Sequence, residues 1–155
     1  MSVSIIDKDI TTVKSGIICQ QVNCMGVMGA GLALQLKQKF PQIFEDYRCA
    51  YENGSLELGK VILTTLDTKK PLFAANMCAQ YAYGRRGRYT NYFAFEKCLK
   101  YVVEFRDFRR GCLNELDMHV YMPYKIGCGL AGGDWDSVSK LIEKVIPDAI
   151  ICKWR

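Results

Sequence analysis

A chain of 155 residues, half of them apolar, can bury one core as a single soluble domain. No apolar run is long enough to span a bilayer, and charges interrupt the N-terminal MSVSIIDKD where an export signal needs an apolar stretch. A membrane segment is therefore excluded and a cytoplasmic location expected. The formal charge of +5 is modest, and its excess gathers in RRGR (85–88) and RDFRR (106–110), which read as solvated faces more than as a nucleic-acid footprint.

In chain order, SVSII (2–6) reads as a strand, and SGIICQQVN (15–23) as a second that ends at the glycines of NCMGVMGAG. AGLALQLKQKF (30–40) has helical spacing and stops before Pro41. QIFEDYRCAYENG (42–54) continues as another helix closed by Gly54. KVILTTL (60–66) and LFAANMCAQ (72–80) read as strands flanking the DTKKP turn. NYFAFEKCLKYVVEFRDF (91–108) is helical, MHVYMPYKIG (118–127) is a strand entering a second glycine loop, DWDSVSKLIEKVI (134–146) is a helix, and AIICKW (149–154) closes the sheet. The alternation predicts an α/β sandwich with a largely parallel sheet.

The eight cysteines include no CxxC pair and there is one histidine, His119, so no metal site has usable spacing. Most of the cysteines read as small buried hydrophobes. His119 reads as an ordinary strand histidine.

Both glycine loops fall between a strand and the following helix, the positions where open α/β sheets bind ligands. Glycines there turn main-chain N–H groups toward an anion, and the helix N-terminus adds a favourable dipole. A phosphate or diphosphate would suit the site, although glycines that only serve packing would leave the same pattern. No Gly-Lys-Ser/Thr follows either loop, and GVMGAG lacks the spacing of GxGxxG.

The combination of KDI (8–10), VNCMGVMGAGLALQLK (22–37) and PYKIGCGLAGGDW (123–135) resembles the macrodomain family of ADP-ribose-binding modules, over nearly the whole chain. The resemblance is to the small branch of ADP-ribose-1''-phosphate phosphatases and terminal ADP-ribose glycohydrolases. It implies one domain over residues 1–155, a three-layer α/β sandwich with a mixed, largely parallel central sheet and ADP-ribose in a crest-like cleft.

Carried over by position, the resemblance assigns Asp9 and the Ile10 main chain to adenine, although Asp9 could equally start a turn. Gly26, Val27, Met28, Gly29 and Gly31 would face the distal ribose and a phosphate. Gly127, Cys128, Gly129, Leu130, Ala131 and Gly132 would wrap the diphosphate from the other side. Cys128 has no nearby histidine to activate it as a nucleophile. Trp154 is the candidate flat partner for adenine, with strand packing as its alternative, and Trp135 reads as core. Tyr81, Tyr83, Tyr89 and Tyr92 surround a rim in which Arg85, Arg86 or Arg88 would hold a terminal phosphate.

In the glycohydrolase branch, a lysine before the rim and an aspartate in the second loop carry the chemistry. Gln80 and Ala131 stand at those positions here, which disfavours that mechanism. The remaining candidates are Asn23, for the distal ribose or a water, Gln80 with Gln20 or Gln21 as a polar floor, and Asp134 as general base or helix cap. The resemblance thus implies binding of ADP-ribose with hydrolysis of the terminal phosphate of ADP-ribose-1''-phosphate, or capture of such nucleotides without turnover, or ADP-ribosyl hydrolysis without the lysine mechanism. No cofactor and no metal are expected. The expected partners are a small ADP-ribose derivative or an ADP-ribosylated macromolecule, with a monomeric chain, no membrane and no nucleic acid.

Overall fold

The computed structural model describes residues 3–154, so Ser2, the first residue of the first predicted strand, lies outside it. Six strands form one sheet: β1 (Ser4–Asp7), β2 (Gly16–Val22), β3 (Val61–Asp67), β4 (Leu72–Cys78), β5 (Val120–Pro123) and β6 (Ile150–Lys153). Their spatial order is β1-β6-β5-β2-β4-β3, with β3 antiparallel to β4 and every other pairing parallel. The largely parallel sheet expected from the sequence is therefore present. The last strand does not close it, however, because β6 lies between β1 and β5 while β1 and β3 form the edges.

Four helices cover the two faces: α1 (Gly31–Lys39), α2 (Pro41–Glu52), α3 (Tyr92–Cys112) and α4 (Trp135–Val145). The period-two alternation of strand side chains sorts them. Ile17 and Cys19 of β2 with Phe73, Ala75 and Met77 of β4 point toward Phe95, Leu99 and Val102 of α3 and Val138 and Ile142 of α4. Ile18 and Val22 with Ala74 and Cys78 point the other way, toward Leu36 of α1 and Ile43 and Tyr47 of α2. Helices α1 and α2, the sheet, and α3 and α4 make the three layers. Five of the eight cysteines are buried, and all eight are free thiols.

Two boundaries differ from the sequence expectation by more than two residues. Helix α3 runs four residues further, to Cys112, because Arg109 is held by the Glu115 carboxylate and lies over the Phe73 ring. The strand expected through residue 127 stops at Pro123, and Lys125 then adopts a left-handed φ of 60° that no strand continues.

Candidate functional site

Strands β1, β6, β5, β2 and β4 are parallel, so their carboxyl ends leave the sheet on one edge. Asp9 and Ile10 follow β1, the first glycine loop follows β2, the rim follows β4, the second loop follows β5 and Trp154 follows β6. Topology alone thus gathers every segment that the resemblance assigns to the ligand.

A cleft in two adjoining parts runs along this edge. One part, about 300 Å³, is lined by Gln20, Gln21, Ala30, Gln80, Lys125 and residues of the second loop. The other, about 200 Å³, is lined by Asp9, Ile10, Gln35, Cys152 and Trp154. Leu32, Pro123 and Tyr124 line both, which makes the two continuous. Larger open hollows of about 560 and 570 Å³ lie around Lys14, Lys69 and Lys70 at the opposite edge, but no glycine loop converges there.

The second loop is held in a shape that exposes its amides. Gly127 (φ +74°) donates nothing to the sheet, and its carbonyl accepts from the Thr90 hydroxyl at 2.6 Å and from the Gly133 N–H at 2.9 Å. A Cβ there would stand 2.6 Å from Gln21 Oε1, and one at Gly132 (φ +73°) would stand 2.3 Å from the Gly87 carbonyl of the rim. The rim is tied back by Tyr89 and Thr90, whose N–H groups both donate to the Ala131 carbonyl. Among the described residues, the N–H groups of Gly129, Leu130 and Ala131 have no acceptor, leaving three consecutive donors beside the cleft.

The first loop faces them from the other side. Asn23 organises it: Oδ1 accepts from the Met25 N–H at 2.9 Å, and the amide nitrogen donates to the Val27 carbonyl at 2.8 Å. The buried Tyr47 hydroxyl donates to the Asn23 carbonyl at 2.7 Å and lies 2.8 Å from Oδ1. Burial, with the Cys78 sulfur nearby, pushes that phenol far above its ordinary range, so it remains a donor. Asn91 and Asp134 cap α3 and α4 with their side chains, whereas α1 has Ala30 at its N-cap and no side-chain cap. Its first N–H groups, with those of Gly29 and Ala30, are left available at the positive end of the helix dipole.

The floor between the loops is a chain of amides. Gln21 Nε2 donates to Gln80 Oε1 at 2.9 Å and to the Thr90 hydroxyl at 2.8 Å, and Gln80 Nε2 donates to the Ala82 carbonyl at 2.8 Å. Gln20 is turned to the opposite face, where it donates to Asn76 Oδ1 at 2.8 Å.

Asp9, Ile10 and Trp154 meet in one part of the cleft, and Gln80, Gly127, Gly129, Leu130 and Ala131 in the other. Asp9 also caps a single 3-10 turn (Ile10–Thr12), Oδ1 accepting from the Thr11 N–H and hydroxyl. Other candidates stand away from the lining. Gly26 lies under the Tyr51 ring, and Met28 is buried against the α1 and α2 layer. Val27 is exposed and does not line the cleft. Gly132 abuts the rim. Cys128 packs against the α3 and α4 layer, and burial, helped by the Asp134 charge, raises its thiol to about 11, so it is neutral and no nucleophile. Asp134 caps α4 and lies outside the lining, and the amide of Asn23 is spent on its own loop. Trp135 packs edge-on to Tyr124, centroids 5.2 Å apart, and His119 Nδ1 lies 3.3 Å from Arg110. Sequence reasoning missed Tyr47 and Thr90 as supports of the loops, because each reads as ordinary helix face or helix flank.

Two loops that aim main-chain N–H groups across the carboxyl edge of a parallel sheet define an α/β domain built to hold an anionic ligand. The chain belongs to the Macro domain family, whose profile matches residues 19–142. It is 36% identical over 55 residues to the DNA ADP-ribosyl glycohydrolase of Mycobacterium tuberculosis, a match to 36% of this chain and 16% of that enzyme's length. A 17.5 kDa protein from the tk-vs intergenic region of enterobacteria phage T4 is 30% identical over 129 residues, 81% of this chain and 77% of that one. The fold superposes on Thermosipho africanus DarTG in complex with ADP-ribose with a TM-score of 0.76 at 20% identity, over 99% of this chain and 42% of that one.

Proposed function

We propose that the carboxyl-edge cleft binds ADP-ribose and that the chain removes a phosphate carried on C1'' of its distal ribose. Adenine takes the part lined by Asp9, Ile10 and Trp154, and the diphosphate lies between the two loops. The observation that carries the reading is the set of acceptorless N–H groups at Gly129, Leu130 and Ala131, facing the uncapped start of α1. Membership of the Macro domain family supports the choice of ligand.

Cleavage of a phosphate monoester through a loose transition state asks mainly that the peripheral oxygens be held while water attacks in line. Main-chain donors supply the holding. Among the described residues that line the cleft, the one carboxylate is Asp9, at the adenine end, and there is no imidazole. Turnover therefore rests on positioning and is slow. The lack of a carboxylate or imidazole among the described residues of the part between the two loops favours a second reading, in which the chain captures ADP-ribose without converting it.

The test is calorimetric titration with ADP-ribose, together with incubation with ADP-ribose-1''-phosphate and with glutamate- or DNA-linked ADP-ribose. Phosphate release from the first substrate supports the phosphatase. Tight binding with no release from any substrate moves the function to capture. No binding of ADP-ribose ends both readings.

A further inference from the structure

Tyr124 stands where the two parts of the cleft join. The Nζ atoms of Lys153 and Lys125 lie 4.7 and 5.6 Å from its ring centroid, so the two ammonium groups are within about 10 Å of each other, inside one screening length at low ionic strength. Among the described residues neither is ion-paired to a carboxylate, although Asp7 is the register partner of Lys153 on β1. Lys125 also holds the left-handed backbone at φ 60°, a conformation that costs a lysine energy and that clusters at functional sites. A strained lysine in the cleft wall and a second cation on the same ring set two ammonium groups, neither in an ion pair, beside a ligand-sized hollow whose one carboxylate among the described residues is Asp9.

We infer that Lys125 and Lys153 form a second anion subsite, which takes a phosphate ester on the ribose joining adenine to the diphosphate. This rests on the reading of the cleft given above, in which that ribose passes Leu32, Pro123 and Tyr124. The free positions on that sugar are its 2'- and 3'-hydroxyls. The ligand class is thus ADP-ribose with a phosphate on its adenosine ribose. That phosphate is either a 2'-monoester or a 3'-diester continuing into a further nucleotide.

The full chain is titrated with ADP-ribose, with ADP-ribose 2'-phosphate, and with ADP-ribose extended by one nucleotide through a 3'-phosphodiester, at low and raised potassium chloride. At low salt at least one phosphorylated ligand binds about tenfold more tightly than ADP-ribose, and the ratio shrinks as salt rises. The ratio falls to about one in the double variant Lys125→Asn, Lys153→Gln. Asparagine tolerates the left-handed backbone at residue 125. Near-ultraviolet circular dichroism verifies the variant's fold, and the salt dependence of the unmodified chain needs no variant. Whichever phosphorylated ligand is preferred identifies the source of the phosphate. Equal affinity for all three ligands, or a preference that survives the double variant, overturns the subsite while leaving ADP-ribose binding intact. Failure of all three to bind overturns the subsite and the cleft reading together.

Discussion

The carboxylate of Asp134 accepts from the Ser137 hydroxyl at 2.9 Å and from its N–H at 3.0 Å, and these bonds hold it below the ordinary carboxylate range. A carboxylate stabilised as the anion is a poor proton acceptor, and this one stands outside the cleft lining. Asp134→Ala is expected to lower the melting temperature by a few degrees through loss of the α4 cap, whereas Asp134→Asn keeps a capping oxygen and most of that stability. A general base would instead show equal loss of turnover in both variants, so paired melting and phosphate-release measurements separate the two roles. The loop glycines divide in the same way. Gly29 has open space around it and no left-handed requirement, so Gly29→Glu is expected to leave the melting temperature nearly unchanged while abolishing ADP-ribose binding by setting bulk and negative charge among the anion donors. At Gly132 the obstacle is main chain, the Gly87 carbonyl, so Gly132→Ala is expected to cost about 2 kcal/mol in denaturant unfolding.

Helix α2 braces the first loop through Tyr47, which ties its main chain to the apolar layer beneath it, and through Arg48, which donates to the Gly26 carbonyl at 3.1 Å. Tyr47→Phe keeps the packing but leaves the Asn23 carbonyl without its donor, an expected loss of about 1–2 kcal/mol in denaturant unfolding. ADP-ribose affinity should fall with it, as calorimetry would read, although residue 47 does not line the cleft. Such a brace is hard to see in a sequence, because an aromatic on an apolar helix stripe predicts burial and says nothing of its hydroxyl. The helices themselves were legible from their spacing, as were β2, β4 and the two glycine loops, because burial on both faces of a parallel strand leaves a nearly unbroken apolar run. Strand order was not, since β6 and β1 pair across almost the whole chain and their local patterns are alike. The shape of the Tyr124–Lys125 corner was hidden too, because a lysine gives no signal of a left-handed backbone.

At the scale of the molecule, the sheet's two edges have different tasks. The carboxyl edge carries loops with unmet donors, and the opposite edge carries an ionic latch. Arg106 of α3, buried to 7% exposure, donates to Asp148 at 2.5 Å, and Arg110 reaches the same carboxylate at 3.2 Å, fastening the end of α3 to the turn between α4 and β6. Burial alone would raise the Asp148 carboxyl, but hydrogen bonds and charge from the two guanidiniums hold it below its usual range. A carboxyl depressed in the folded state adds stability that is complete above its unfolded value of about 4 and is lost as pH falls through the folded value. Asp148 is partly exposed, so screening limits the effect, and Asp148→Asn is expected to cost about 1 kcal/mol at pH 7. Below about pH 4 the gap between the two proteins should close, because the native carboxylate is then being protonated as well. Denaturant unfolding across pH measures this, and a gap that stays constant into acid would show that the pairing adds no charge-dependent stability. Because the latch lies at the edge away from the cleft, Asp148→Asn should leave ADP-ribose affinity at pH 7 unchanged, and a matching loss of affinity would mean that the two edges are coupled through α3.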